Sequence, residues 1–138
     1  MEKIFVDTSG WVALFVENDQ NHQRAISIYE ELKRQRVALY TSDYIIDETI
    51  TTILVRSNHR QSMIAGSAIL TSSIIKIVNV APDYFLSTWE LYKKYQDKEL
   101  SFTDVSCLSI MKALGIGRIF SFDEELLQTG IQLINKNL

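Results

Sequence analysis

Five short apolar runs, each the length of a single strand, alternate along this chain with longer segments whose apolar residues return every three or four positions, and that alternation decides the fold class. The runs are Lys3-Ile4-Phe5-Val6, Val37 to Tyr40, Ile75 to Val78, Arg118 to Phe122, and Ile131 to Ile134. Between them, residues 20 to 35 carry Ala25, Ile28, Tyr29 and Leu32 at helical spacing, and Ser42 to Arg56 places Ile45, Ile46, Thr49, Ile50 and Ile53 on one side. Further helices are expected over residues 60 to 70, over 81 to 95 with Pro82 in the first turn, and from Thr103 to Leu114, ending at Gly115. Short helices should follow the Asp7-Thr8-Ser9-Gly10 turn, from Trp11 to Val16, and span Asp123 to Leu127. Strands separated by helices pair in parallel and are covered on both faces. The expected fold is therefore α/β: a single domain over residues 1–138, a three-layer sandwich with a central parallel sheet of about five strands flanked by helices. In such sheets ligands bind beyond the carboxyl ends of the strands.

The 138 residues suffice for one domain with a sizeable core, and 46% hydrophobic content with one proline argues against disorder. Cys107 is the only cysteine, which excludes a disulfide framework or a cysteine zinc cluster and suits a reducing cytoplasm. No apolar stretch approaches the roughly 18 residues that cross a bilayer, so the expectation is a cytoplasmic protein with no membrane association. A net charge of -3 excludes a broadly basic nucleic-acid surface; any affinity for phosphate must be local.

Four carboxylates stand where strands end or helices begin. Asp7 closes the first apolar run, and Asp123 repeats the arrangement after Phe120-Ser121-Phe122. Each has an alternative reading as a helix cap, worth about 1 kcal/mol. Asp104 shares a helical stripe with Cys107, Leu108 and Met111, so its carboxylate starts on an apolar face and calls for a nearby cation. Its alternative is a capping box with Ser101. On the helix from Ser42, Asp47 and Glu48 both fall off the centre of the apolar stripe, and periodicity does not choose Glu48.

Together these segments resemble the PIN-domain ribonucleases. The resemblance rests on Ile4-Phe5-Val6-Asp7-Thr8-Ser9, Ile45-Ile46-Asp47-Glu48-Thr49, Leu100-Ser101-Phe102-Thr103-Asp104 and Phe120-Ser121-Phe122-Asp123, in that order over nearly the whole chain. It implies that Asp7, Glu48, Asp104 and Asp123 form a catalytic, metal-holding set for Mg2+ or Mn2+, supported by Thr8 and Ser121. It selects Glu48 over Asp47. It also implies endonucleolytic hydrolysis of RNA leaving a 3′-hydroxyl and a 5′-phosphate. Small stand-alone members resemble the toxins of VapBC toxin-antitoxin pairs, so a small antitoxin partner and a homodimer are expected. The alternatives are a stand-alone nuclease of RNA processing and an inactive scaffold that binds RNA or protein without cutting.

The donor set suits such chemistry, because hard divalent ions prefer oxygen ligands that are ionised at neutral pH. Arg56, His59 and Arg60, at the junction of two helices, are the first candidates for gripping substrate; Lys33, Arg34 and Arg36, and Lys93 and Lys94, form further basic groups. Each of these also reads as a solvated helix end. His22 and His59 belong to no nucleophile or metal motif and read as solvated, Cys107 reads as core, and Gly115-Ile116-Gly117 lacks the rest of a dinucleotide fingerprint. The Asp-Thr-Ser-Gly turn also resembles that of aspartic proteases, whose all-β fold the helical periods oppose.

Overall fold

Ile4, Phe5 and Val6 are fully buried because their strand is the middle one of a five-stranded, all-parallel sheet in the order β3-β2-β1-β4-β5. The computed structural model describes residues 1–136 and runs β1 (Lys3–Val6), α1 (Thr8–Phe15), α2 (His22–Arg34), β2 (Ala38–Ser42), α3 (Asp43–Arg56), α4 (His59–Leu70), β3 (Ile75–Val78), α5 (Phe85–Lys94), α6 (Phe102–Leu114), β4 (Arg118–Phe120), a 3-10 helix (Glu124–Thr129) and β5 (Gln132–Ile134). The chain is thus a single α/β domain with helices flanking a parallel sheet. From β1 the chain winds outward to β2 and β3, then returns to place β4 on β1's other side, so the winding direction reverses between β1 and β4. Such a reversal opens a crevice at the carboxyl ends of those two strands. Asp7 and Ser121 are the residues that emerge there.

Two features set the shape of this edge. A Cβ added to Gly10 would lie 2.6 Å from the Phe120 carbonyl oxygen, so only glycine lets α1 start this close to the end of β4. Behind it, Trp11 Nε1 donates to Thr41 Oγ1 at 3.1 Å, and that hydroxyl donates to the Val6 carbonyl at 3.0 Å. A fully buried threonine between a core tryptophan and β1 is thereby satisfied on both sides.

The differences from the expected elements follow from such polar bonds. α1 begins at Thr8 rather than Trp11, because Asp7 caps it: its side chain accepts from Gly10 N–H and its carbonyl from Trp11 N–H. The Asp-Thr-Ser-Gly segment is the first helical turn. β2 lies over Ala38–Ser42, beyond the apolar run, because Thr41 and Ser42 are buried with partners inside the fold. α5 begins at Phe85 rather than near Ala81. Buried Val80 has its N–H held by Asp43 and its carbonyl taken by Tyr84 N–H, so residues 81 to 84 form a turn first. The segment after Asp123 is a 3-10 helix, and β4 stops at Phe120. α6 starts on the expected capping box and ends at Gly115, whose φ of 69° fits a left-handed helix end. Cys107 packs in the core, as expected. His22 departs from its solvated reading: it is half-buried, with Nδ1 at 2.8 Å from the Ala13 carbonyl.

Candidate carboxylate site

A cleft of about 290 Å³ opens where the winding reverses, and Asp7, Glu48, Asp104 and Asp123 all line it, with Thr8 and Arg56. Asp7 leaves β1, Glu48 comes from the middle of α3, Asp104 from the first turn of α6, and Asp123 from the segment after β4. The sheet order brings together acids drawn from both ends of the sequence.

Asp7 is the most enclosed, at 5% exposure. Its Oδ1 accepts from Gly10 N–H at 3.0 Å and Ser9 Oγ at 2.8 Å, and its Oδ2 accepts from Ser121 Oγ at 2.6 Å. All three donors are neutral. Burial pushes its pKa from 3.8 up to about 6, partly offset by the Ser121, Gly10 and Ser9 bonds and reinforced by the charge of Asp104. Two serines tie the strand ends together. Ser9 Oγ takes Phe122 N–H at 2.8 Å and lies 3.2 Å from Ser121 Oγ, which in turn takes Asp123 N–H at 3.0 Å.

Asp104 serves two purposes at once. Its Oδ2 accepts from Ser101 N–H at 3.1 Å while Ser101 Oγ accepts from Asp104 N–H at 3.0 Å, which is the capping box. The same side chain is half-buried in the cleft, where burial raises its pKa and the charges of Asp123 and Glu48 add to the shift. Glu48 is half-buried and accepts a hydrogen bond from Thr8 Oγ1, whereas Asp47 is exposed and does not line this cleft. Asp123 caps the 3-10 helix through Glu125 N–H at 3.0 Å. The capping readings of Asp7, Asp104 and Asp123 thus hold structurally, and the caps are what aim these carboxylates at one place. Below them the fully buried Cys107 thiol is pushed well up, first by burial and then by the charges of Asp7, Asp104 and Glu48.

The cation expected beside Asp104 is not supplied by the protein: among the described residues, none of the ion pairs involves any of the four acids. Among the described residues, Arg56 is the one basic side chain lining the cleft, and Asp19 holds it. Also among the described residues, no three His, Cys, Asp or Glu side chains stand close enough to chelate an ion as they lie. Each of the four instead rests on a neutral donor, as mutually repelling carboxylates do. The donor chemistry nevertheless fits a hard divalent cation. It is all oxygen, uncompensated in charge, and includes a buried carboxylate whose raised pKa a cation would lower. His59 and Arg60 are exposed at the start of α4, outside the residues that line the cleft. Sequence reasoning missed Ser9, whose position two residues after Asp7 was the available signal, and Asp19, for which spacing gave none.

Residues 4–132 match the PIN domain family. The chain is 30% identical over 127 residues to the 23S rRNA-specific endonuclease VapC20 of Mycobacterium tuberculosis, an alignment covering 92% of this chain and 94% of that protein. The crystal structure of VapC20, described as a sarcin-ricin loop cleaving toxin, superposes with a TM-score of 0.82 at 29% identity, covering 93% of this chain and 95% of that one. VapBC2 of Rickettsia felis, solved bound to a DNA fragment from its promoter, shares the fold at a TM-score of 0.73 and 13% identity, with 97% and 98% covered. With a family match over nearly its full length and a relative this similar over almost all of both chains, the protein belongs to the PIN domain family.

Proposed function

We propose that the protein is a divalent-metal-dependent endoribonuclease of the toxin-antitoxin kind, acting on RNA in the cytoplasm. The observation that carries this reading is the set of four carboxylates around one cleft, with no basic partner among the described residues, in a chain 30% identical to a 23S rRNA-specific endonuclease. Asp7, Glu48, Asp104 and Asp123 would hold Mg2+ or Mn2+. Bound by these four side chains, such an ion would supply Lewis-acid chemistry to a phosphate oxygen and would lower the pKa of a water. Ser9, Gly10 and Ser121 fix both oxygens of Asp7, Thr8 orients Glu48, and the Ser101 box fixes Asp104, so the chain holds its donors before substrate arrives. Arg56, which lines the cleft, would receive a phosphate there, and His59 and Arg60, exposed outside the cleft at the start of α4, would offer outer contacts to a longer RNA.

A ribosome-cleaving enzyme harms its own cell unless restrained, which is the reason to expect an antitoxin. Exposed apolar side chains support protein partners: Leu54, Val55, Met63 and Ile64 on the packed pair α3 and α4, and Leu86 and Trp89 on α5. We assign these surfaces to an antitoxin and to a second copy of the chain. Among the described residues, no helix is long and apolar enough to cross a membrane.

The test is cleavage of a sarcin-ricin loop oligonucleotide by purified wild type and Asp104→Asn in Mg2+ or Mn2+. Asparagine keeps an oxygen for the Ser101 N–H, so the helix cap survives while a ligand charge is lost. Cleavage should fall about 100-fold or more, a typical cost of removing a group that stabilises the reacting centre. A variant as active as wild type would remove Asp104 from the chemistry.

A further inference from the structure

Arg56 closes α3 and shares one face of that helix with Glu48 and Thr52, all three lining the cleft at i, i+4 and i+8. Two helical turns put it about 12 Å along the axis from Glu48. A long arginine among acids would be drawn onto them, since opposite charges in a partly enclosed cleft attract more strongly than in open water. In the structure it is held elsewhere. Asp19, in the connection between α1 and α2, accepts from Arg56 Nη1 at 2.9 Å through Oδ2, with side chains 14% exposed for Asp19 and 41% for Arg56. Asp19 itself is anchored three times: Oδ1 takes Asn21 N–H at 2.8 Å, its N–H donates to the Val16 carbonyl at 3.0 Å, and its carbonyl takes His22 N–H at 3.0 Å. Among the described residues Arg56 makes no other hydrogen bond, which leaves most of its guanidinium donors for a ligand.

We propose that Asp19 is a positioning residue, holding Arg56 at the mouth of the cleft as the contact for an RNA phosphate flanking the one that is cut. The proposal rests on the ribonuclease reading above. It gives the loop between α1 and α2 a role in substrate binding: Asp19 keeps the arginine away from the four carboxylates, where it would compete with a divalent cation, and presents its free N–H groups outward. A carboxylate does this better than a neutral group because its charge holds the guanidinium while its second oxygen is locked to the backbone.

The experiment measures binding of a fluorescent single-stranded RNA by anisotropy in Ca2+, which takes oxygen ligands. Wild type, Asp19→Asn, Arg56→Gln and the double variant are compared across salt concentrations. Asparagine retains an oxygen for Asn21 N–H and turns its NH2 toward the guanidinium, so it breaks the pair while keeping the loop. Arg56→Gln should weaken binding about 10-fold and reduce the salt slope by about 1. Asp19→Asn should weaken it by a similar factor in the wild-type background and by nothing in the Arg56→Gln background. Asp19→Glu, which keeps the charge, should recover part of the loss and guards against a loop that asparagine loosens. Affinity within about twofold of wild type in Asp19→Asn, or an equal additional loss in the double variant, would overturn the proposal. Cleavage by wild type in Mn2+ is followed alongside. Its absence would defeat the ribonuclease reading, while the coupling between Asp19 and Arg56 would still be judged by binding.

Discussion

Replacing Asp7 with asparagine should stabilise the metal-free protein above neutral pH, an unusual outcome for a substitution in a buried hydrogen-bonded network. The folded pKa of about 6 lies above the ordinary value of 3.8, so between those values the folded state binds the proton more tightly than the unfolded state. The stability linked to this proton is present in full below pH 3.8 and lost as pH rises through 6. A gap of about two units corresponds to roughly 3 kcal/mol at neutral pH. Asparagine does not titrate and escapes that loss. Its cost is the 2.6 Å bond from Ser121 to Oδ2, which must be reversed, with the Ser121 hydroxyl turning to Ser9 Oγ, 3.2 Å away. Exchanging a charge-assisted bond for a neutral one costs about 1 kcal/mol, leaving a net gain of about 2 kcal/mol, or roughly 6 °C in melting temperature for a domain of this size. Thermal unfolding in EDTA from about pH 4 to pH 8 reads this directly: the curves should lie close together near pH 4, separate as pH rises toward 6 and run parallel above it, with the variant higher. Adding Mg2+ should raise wild type and leave the variant nearly unmoved, because only the former gains by mass action. Parallel curves across the whole range, or a variant less stable by a constant amount, would show that Asp7 does not hold its proton above the ordinary carboxylate range.

Three further outcomes follow from the same contacts. Ser121→Ala removes a donor that lowers the Asp7 pKa, so Mn2+ affinity measured by calorimetry should be lost at a higher pH than in wild type, with about 1 to 3 kcal/mol of stability lost at neutral pH. Gly10→Ala should destabilise the fold by about 1 to 3 kcal/mol, read from the denaturation midpoint, since its Cβ meets the backbone oxygen of Phe120 at 2.6 Å and neither strand end can move aside freely. Thr8→Val, which cannot donate to Glu48, should reduce cleavage while preserving melting temperature within a few degrees; unchanged turnover would show that Glu48 needs no orienting bond.

The sheet was legible because its strands are short, mostly apolar runs, buried on both faces in β1, and Asp7 and Asp123 were legible because a charge at the end of such a run interrupts it. α6 announced its start through Ser101 and Asp104. What sequence left open has a physical cause in each instance. Thr41 and Ser42 belong to β2 only because Trp11 and the turn of α3 give them partners from elsewhere in the fold. The start of α5 depends on Asp43 gripping Val80 from 37 residues away. Glu48 sits off its helix's apolar stripe, so its selection came from resemblance. Its half-buried position and its bond to Thr8 arise from the packing of α1 on α3, a tertiary contact no helical wheel contains. Asp19 lay in a loop without periodicity, and only the fold brings it to Arg56.

The ends of RNA cut by the purified protein report whether a metal-activated water breaks the backbone. A carboxylate site that holds a divalent cation and activates water leaves a 5′-phosphate and a 3′-hydroxyl. Such ends on a sarcin-ricin loop RNA, formed in Mg2+ or Mn2+ and absent in EDTA, are the expected result. Cleavage that persists in EDTA, ends bearing a cyclic phosphate, or intact RNA with every divalent ion would contradict it.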